Sequence, residues 1–522
     1  MSLAQDLETA FQLFEAGRPD AAMRRAEALL RRQPNLAGAH YLLGLIALGQ
    51  GRAVKARAHC RQALAHGPAA VPVLVALARA EAGAGGDPIP VYARALEAGL
   101  SDPVLLAEAA AVARAGGRLE LAVAFLERAA PGAKQPELWN NLGSARLEVG
   151  LAEAALDAFN QALSLRPDYP RARANRGTAL MTLGLPAEAA HDLDHAHRAE
   201  PDNRTTARNL ALAHKAAHRY DAAASLLADL LTSAAPADQA MLRLDFAAVE
   251  IARGEPAAAL SVLAPLPDGA LTCATRAAAH EALGDTAAAI SALRQALVED
   301  PADGIGARLA LARLTGEVTD RASAAFVRRL FDDYAGRFER ELVDRLDYRA
   351  PAILRDLWGD LVLPPPAHVL DLGCGTGLGA AAFADLGAVI DGVDLSGQML
   401  LRARARGLYR HLVEGDIETA LAEAPAASAD LILAADVLVY LGDLGAVLTQ
   451  SRRVLAPGGA LLFTVEAGEG ADWTLHDGNR FTHSEAYLTR LTGDAQRTIL
   501  RPCTTRRDRG ADVRGFAVAV VW

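Results

Sequence analysis

Asp371, Gly373, Gly375 and Gly377 alternate within HVLDLGCGTGLG (368–379), and two further acids, Asp394 and Asp416, close apolar runs downstream. Glycines belong where backbone must come within contact distance of a ligand or adopt positive φ. Free amides at the start of the following helix favour an electron-rich ligand group. A carboxylate two residues ahead of the first glycine repels a pyrophosphate and attracts an ammonium or sulfonium. The spacing D-x-G-x-G-x-G therefore points to a cationic cofactor, away from the dinucleotide pattern G-x-G-x-x-G. The two oxygens of Asp394 can accept both hydroxyls of a ribose, which suits a nicotinamide dinucleotide equally. Asp416 can take an adenine amino hydrogen with Ile417 against the ring. Three side chains are candidate general bases: Asp436 first, then Glu466, then His483. Arg480 and His483 are candidates for contact with an acidic substrate.

Such acids need a scaffold that aligns them along one edge. From residue 367, apolar runs alternate with helical stretches: VLDLG, AVIDGVDLS (388–396), LVEGDIE (412–418), DLILAAD (430–436) and ALLFTVE (460–466). The alternation predicts a parallel sheet with Asp371, Asp394 and Asp416 at three successive strand ends, the edge where open α/β sheets bind ligands. The last two runs, 498–507 and 513–522, joined by Asp508 to Asp512, read as an antiparallel hairpin. The glycine motif, the spaced acids, the Leu-x-Pro-Gly-Gly turn at 455–459 and this hairpin resemble the Rossmann-like S-adenosylmethionine-dependent methyltransferases. The resemblance implies S-adenosylmethionine as cofactor, bound by Asp371, Gly373, Gly375, Gly377, Asp394, Leu395, Asp416, Ile417 and Asp436. It implies methyl transfer beside Asp436 and Tyr440, with His483 a further catalytic candidate. The segment after the fourth apolar run, 430–459, holds neither an N/D-P-P-Y signature nor a Pro-Cys nucleophile, which argues against nucleic-acid bases as acceptors.

Residues 1–316 repeat themselves. The clearest unit, Pro136–Tyr169, sets Trp139, Leu142, Gly143, Ala155, Phe159, Ala162 and Pro167 at the landmarks of a tetratricopeptide repeat, in which helix pairs recur about every 34 residues. The same frame fits Leu43-Gly44 through Pro68, Gly177 through Pro201 and Ala277 through Pro301. Degraded copies around Ala122, Ala223 and Ala259 bring the expected array to about nine repeats, whereas 71–102 fits poorly. GIGARLALARLTG (304–316) reads as an unpaired last helix. Stacked repeats predict a solenoid whose concave wall binds a protein or peptide, with Asn140, Asn141, Arg173, Asn175 and Arg176 as candidate groove residues.

Between these parts, residues 317–366 form an expected helical lid and linker. Phe331, Tyr334 and Phe338 share one helix face. By resemblance to the aromatic lid of small-substrate methyltransferases, Tyr334 is a candidate for contact with the cofactor's amino-acid end. Pro364-Pro365-Pro366 ends the helix before the first strand. The stretch 473–484 is expected to roof the pocket and to lead into a helix begun by a capping box, Thr482-x-x-Glu485. Arg497, Arg501, Arg506, Arg507, Arg509 and Arg514 form a basic run, read as a solvated hairpin with anion recognition as the alternative.

Composition agrees with this division. With 52% hydrophobic but 5% aromatic residues, the chain is dominated by Ala and Leu, which favour closely packed helices. A net charge of −10 offers no general footprint for nucleic acid or an anionic membrane. Four scattered cysteines suggest neither a metal site nor a disulfide framework, and there is no signal peptide or long apolar span, so a cytoplasmic setting is expected. The expected architecture is multidomain: an all-α tetratricopeptide solenoid (1–316), a lid (317–366) and an α/β Rossmann-like domain with a terminal hairpin (367–522). In this order the chain resembles a bacterial family of methyltransferases that carry tetratricopeptide repeats. The implied function is methyl transfer to an unidentified acceptor, with a partner on the repeats. The alternative is a noncatalytic scaffold whose last domain only binds the cofactor.

Overall fold

Small residues at the landmark positions let helix backbones approach. A Cβ at Gly143 would stand 2.6 Å from the Phe159 ring, and one at Gly44 would stand 2.6 Å from the Cys60 sulfur. The computed structural model describes residues 2–317, 319–338, 347–470, 472–476, 478–508 and 511–522. It gathers into two compact units, 1–179 and 180–522. Through Thr315 the described residues form nineteen helices, which make nine consecutive pairs and one last helix, Ala307–Thr315, as the repeat frame predicts.

In the first unit even the poorly matching stretch keeps its two helices, Val71–Gly83 and Ile89–Glu97. Tyr92 anchors them: it is buried and donates from its hydroxyl to Glu108 at 2.6 Å. Asn140 departs from its expected place on an open groove. It is buried, and its Oδ1 accepts from Asn175 Nδ2 at 2.9 Å, so the two amides tie successive repeats together. Asn141 is exposed.

In the second unit the repeats lead into the lid helix, Ala324–Tyr334, started by Ser323, whose Oγ accepts from the Phe326 amide at 3.2 Å. Residues 339–346 of the expected lid segment lie outside the described residues. A further helix, Ala350–Leu361, packs Leu354, Leu357 and Trp358 onto the sheet. The strands are β1 (His368–Leu372), β2 (Val389–Asp394), β3 (Tyr409–Glu414), β4 (Ala429–Ala434), β5 (Leu455–Ala467), β6 (Trp473–Leu475), β7 (Phe481–His483), β8 (Arg497–Asp508) and β9 (Ala511–Val521). β3, β2, β1, β4 and β5 lie side by side in parallel, and β9 runs antiparallel to β5 with β8 beyond it. Apolar clusters cover both faces, one around Ile432, Phe463 and Val518 and the other around Leu431, Leu462 and Phe383. Each such buried side chain contributes about 1.5–3 kcal/mol. Because β1 neighbours both β2 and β4, the strand order reverses at β1, and a crevice opens at the carboxyl ends there.

Two local expectations change. Thr482 is not a helix cap: it sits in β7 opposite Glu466, and Ser484 caps the helix Glu485–Leu491 instead, accepting from the Tyr487 amide. The roof segment is partly strand, since β7 extends the edge of β5 and β6 pairs with it. Arg509 and the centre of the Asp508–Asp512 turn lie outside the described residues. No helix among the described residues is long and apolar enough to cross a membrane.

Candidate functional site

β1 ends in the glycine turn. Gly373 has φ +61°, and a Cβ there would fall 2.2 Å from Val437 Cγ2, so neither backbone nor space admits another residue. Gly375, at φ +54°, donates its N–H to Asp394 Oδ2 at 2.9 Å and lines a cavity, where a Cβ would stand 3.8 Å from the Phe338 ring. Gly377 caps the short helix Leu378–Phe383 and packs close to Arg406 and Tyr409, away from the cavity.

Asp371, whose spacing predicts a cation receptor, is not among the residues that line the cavity. It is 2% exposed, accepts from the Tyr409 hydroxyl at 2.7 Å and lies 3.0 Å from where a Gly379 Cβ would be. Burial pushes its carboxyl up to about 7, against the Tyr409 hydrogen bond. Its side chain braces the turn from below.

The cavity has two lobes that share Phe331, Gly373, Asp394, Val437 and Tyr440. The narrower lobe is lined by Asp394, Leu395, Asp416 and Ile417. Asp394 accepts from Gly375 and Ser396 amides and is raised by burial, which those two bonds oppose. Asp416 caps the helix Ile417–Glu423 and ion-pairs with Arg321 at 2.8 Å. Arg321, which also meets Glu418, was not singled out in the sequence. It comes from the linker, where Ala322 N–H donates to the Tyr440 carbonyl at 2.9 Å.

The wider lobe, about 400 Å³, is closed by the lid residues Phe331, Tyr334 and Phe338 and floored by Tyr348, Asp436, Tyr440, Arg480 and Arg506. Phe331 meets the Tyr440 ring edge to face at 5.6 Å. Beneath lies a four-membered ion cluster. Arg506 reaches Glu466 at 2.7 Å and Asp436 at 3.3 Å, and Arg480 reaches Glu466 at 2.9 Å and the Tyr440 hydroxyl at 3.2 Å. Burial pushes the Glu466 carboxyl up, but Arg506 and Arg480 outweigh it and hold it below its ordinary value. Asp436 itself has φ +57° and donates its N–H to Thr464 Oγ1 at 2.8 Å.

His483 is not brought to this cavity. It is fully buried, donates from Nε2 to the Gly442 carbonyl at 2.9 Å and stacks on Tyr487. Burial depresses it to about 4, which favours the neutral imidazole. Arg506 was expected on a solvated hairpin; its side chain is 8% exposed and faces the cavity. Tyr348, whose hydroxyl donates to the Ala435 carbonyl at 3.3 Å, carried no sequence signal.

The geometry defines the class: a crevice at the switch point of an open sheet, with a glycine turn, an acid after each of two strands and an aromatic lid. Residues 370–463 match a methyltransferase domain, and residues 12–71 and 140–204 match tetratricopeptide repeats. The chain belongs to the S-adenosylmethionine-dependent methyltransferases of class I, joined here to a tetratricopeptide array. It is 32% identical over 173 residues to the ubiquinone biosynthesis O-methyltransferase of Cereibacter sphaeroides, covering 28% of this chain and 70% of that protein. It is 35% identical over 132 residues to the malonyl-[acyl-carrier protein] O-methyltransferase of Serratia marcescens, covering 24% of this chain and 51% of that protein. This chain spans 51 to 60% of the length of three such malonyl-[acyl-carrier protein] O-methyltransferases. Among solved structures, a tetratricopeptide repeat protein from Parabacteroides merdae aligns with TM-score 0.35 and 18% identity, over 54% of this chain and 99% of that one. The cavity fits S-adenosylmethionine, the cofactor of the family: the Gly375 edge is open, and Asp394 and Asp416 offer acceptors to hydroxyl and amino donors.

Proposed function

We propose that this chain transfers a methyl group from S-adenosylmethionine to a carboxylate oxygen of an acceptor, and that the repeats hold a protein partner. The acceptor class rests on the engagement of the candidate bases. Asp436 is held by Arg506 and Arg480, Glu466 is held by the same two arginines, and His483 lies outside the cavity. Asp394 accepts two amides. Each of these carboxylates is engaged by arginines or amides, which favours an acceptor that has no proton to lose. An anionic oxygen has none: it bonds to the methyl carbon as the carbon–sulfur bond breaks, and the sulfonium becomes a neutral thioether.

The protein's part is then orientation and exclusion of water. Arg480 and Arg506 present guanidinium N–H groups to the cavity, Tyr440 stands beside Arg480, and Asp436 positions both arginines. Tyr334, Gly373, Gly375, Asp394, Leu395, Asp416 and Ile417 bind the cofactor, while Asp371 and Gly377 shape the turn. Oxygen acceptors also agree with the names of the O-methyltransferases above. The working borders are 1–316 for the repeats, 317–366 for the lid and 367–522 for the methyltransferase domain.

The test is to incubate the purified chain with methyl-tritiated S-adenosylmethionine and cell lysate, then treat the product with base. A carboxyl methyl ester releases volatile labelled methanol. Label that survives base would overturn the carboxylate reading, and cofactor binding without any label would favour the noncatalytic scaffold.

A further inference from the structure

The lid helix, Ala324–Tyr334, is apolar on two faces. Val327, Phe331 and Tyr334 turn toward the cofactor cavity, where Phe338 joins them, while Phe326 and Leu330 turn toward the last repeats. Phe326 packs on Gly306, whose Cβ position would be 2.8 Å from its ring, and Ser323 Oγ donates to the Asp303 carbonyl at 2.7 Å, so the helix is fixed to the end of the array. Beside it runs a groove of about 440 Å³ lined by Ile251, Leu271, Ala274, Ala278, Ile305 and Leu330. Leu330 lines both this groove and the wider lobe of the cavity. Leu271 and Leu330 are 40% and 39% exposed, so both keep apolar surface open to the groove.

We infer that the methyl acceptor carries a long aliphatic chain, which lies in this groove with its carboxylate head in the cavity across Leu330. The inference rests on the methyl-transfer reading above and names the kind of molecule it takes. Leu330, which lines both groove and cavity, sets the groove beside the reacting end. The lining favours a hydrocarbon chain over an extended peptide. An extended peptide brings a backbone N–H and C=O at every residue, and these need partners once buried. The groove's polar side chains are Thr275, Arg329 and Asp333, with no Asn or Gln. Thr275 already donates its hydroxyl to the Leu271 carbonyl at 2.8 Å, so Arg329 and Asp333, both on the lid-helix wall, are the groove's remaining polar side chains. A hydrocarbon chain makes no such demand.

The experiment titrates saturated fatty acids of four to fourteen carbons into the full chain saturated with S-adenosylhomocysteine, by calorimetry. Affinity should rise about three- to fourfold per added methylene while the chain fills the groove. Ala278→Trp, at an exposed groove position, should weaken dodecanoate at least tenfold and leave hexanoate and S-adenosylhomocysteine unchanged. Ala274→Trp repeats the test from a second position. Equal affinity for hexanoate and dodecanoate, or dodecanoate binding indifferent to both tryptophans, would overturn the inference. Tighter binding of an apolar peptide than of dodecanoate, lost in the same variants, would also overturn it. Base-labile labelling without any chain-length effect would sink the groove alone and leave the methyl-transfer reading intact.

Discussion

Replacing Arg506 by Met removes one cation from the cluster under the cavity and leaves two carboxylates with Arg480 alone. Arg506 lies 2.7 Å from Glu466 and 3.3 Å from Asp436, with its side chain 8% exposed. A unit pair near 4 Å is worth about 4 kcal/mol at an effective dielectric of 20, and breaking a buried pair costs about 3–5 kcal/mol. The loss should depend on pH in a definite direction. Glu466 is depressed below its ordinary value of 4.5 because the arginines outweigh its burial. In the wild type its contribution is therefore present above pH 4.5 and fades as pH falls through the lower folded value. With Arg506 gone, burial faces one arginine, Glu466 rises, and the variant's penalty grows with pH. Urea unfolding followed by tryptophan fluorescence measures this, since Trp358, Trp473 and Trp522 lie in or against the sheet domain and only Trp139 lies in the repeats. Arg506→Met should be destabilised by about 3–5 kcal/mol at pH 8 and clearly less at pH 5.5. Adding Glu466→Gln should return about half of the loss. Equal destabilisation at both pH values, or no recovery in the double variant, would refute the cluster as the source of the energy.

Gly373→Ala should destabilise the sheet domain by more than about 2 kcal/mol, combining positive φ with the Val437 clash. Val437→Ala in the same chain should restore part of the melting temperature; a wild-type melt for Gly373→Ala would contradict the turn geometry. His483, ordinarily near 6.5, is depressed to about 4 by burial, so its contribution is present above pH 6.5 and lost as pH falls toward 4. His483→Gln should remove that part of the acid sensitivity, about 3 kcal/mol. Asp371, raised to about 7, acts in the opposite sense, its contribution being present below 3.8 and lost as pH rises, so the comparison of variant with wild type isolates His483. Identical pH slopes would refute the assignment. Gly143→Ala should overpack Phe159 and cost the first unit about 1–3 kcal/mol by circular-dichroism melting, with S-adenosylhomocysteine affinity unchanged.

What was legible in the sequence was what the local chain decides by itself. Gly373, Gly375 and Asp394 sit at strand ends that the alternation of apolar runs marks, and their positions at the cavity follow from the edge of an open sheet. Asp371 belongs to the same motif, yet its partner Tyr409 comes from β3, and the glycine spacing carries no trace of that pairing. Arg506 was hidden for a different reason. A strict two-residue period sends neighbouring side chains to opposite faces, but β8 shifts register between Thr504 and Arg506, and Thr505 and Arg506 are both buried. A bulge of that kind turns a residue of an apparently solvated basic run into the cavity floor.

The lid helix shows how one further reading of the same letters would have reached more of the site. Phe331, Tyr334 and Phe338 were expected on one helix face, but the helix ends at Tyr334 and a turn follows, so Phe338 reaches the same cavity from beyond the helix end. Phe326 and Leu330 define a second apolar stripe, displaced around the axis from Phe331 and Tyr334, and a helix with two stripes must bury both or leave one exposed. Here Phe326 is held against Gly306 of the last repeats while Phe331 meets Tyr440 of the methyltransferase domain. Leu330, between the stripes, is left at 39% exposure on the boundary of two cavities. A helix placed between two kinds of fold and apolar on both sides is a shared wall, and what crosses its edge touches both. With the acceptor placed as inferred above, the last turns of the repeats form one side of its path to the methyl group, and Leu330 is the residue that borders both groove and cavity.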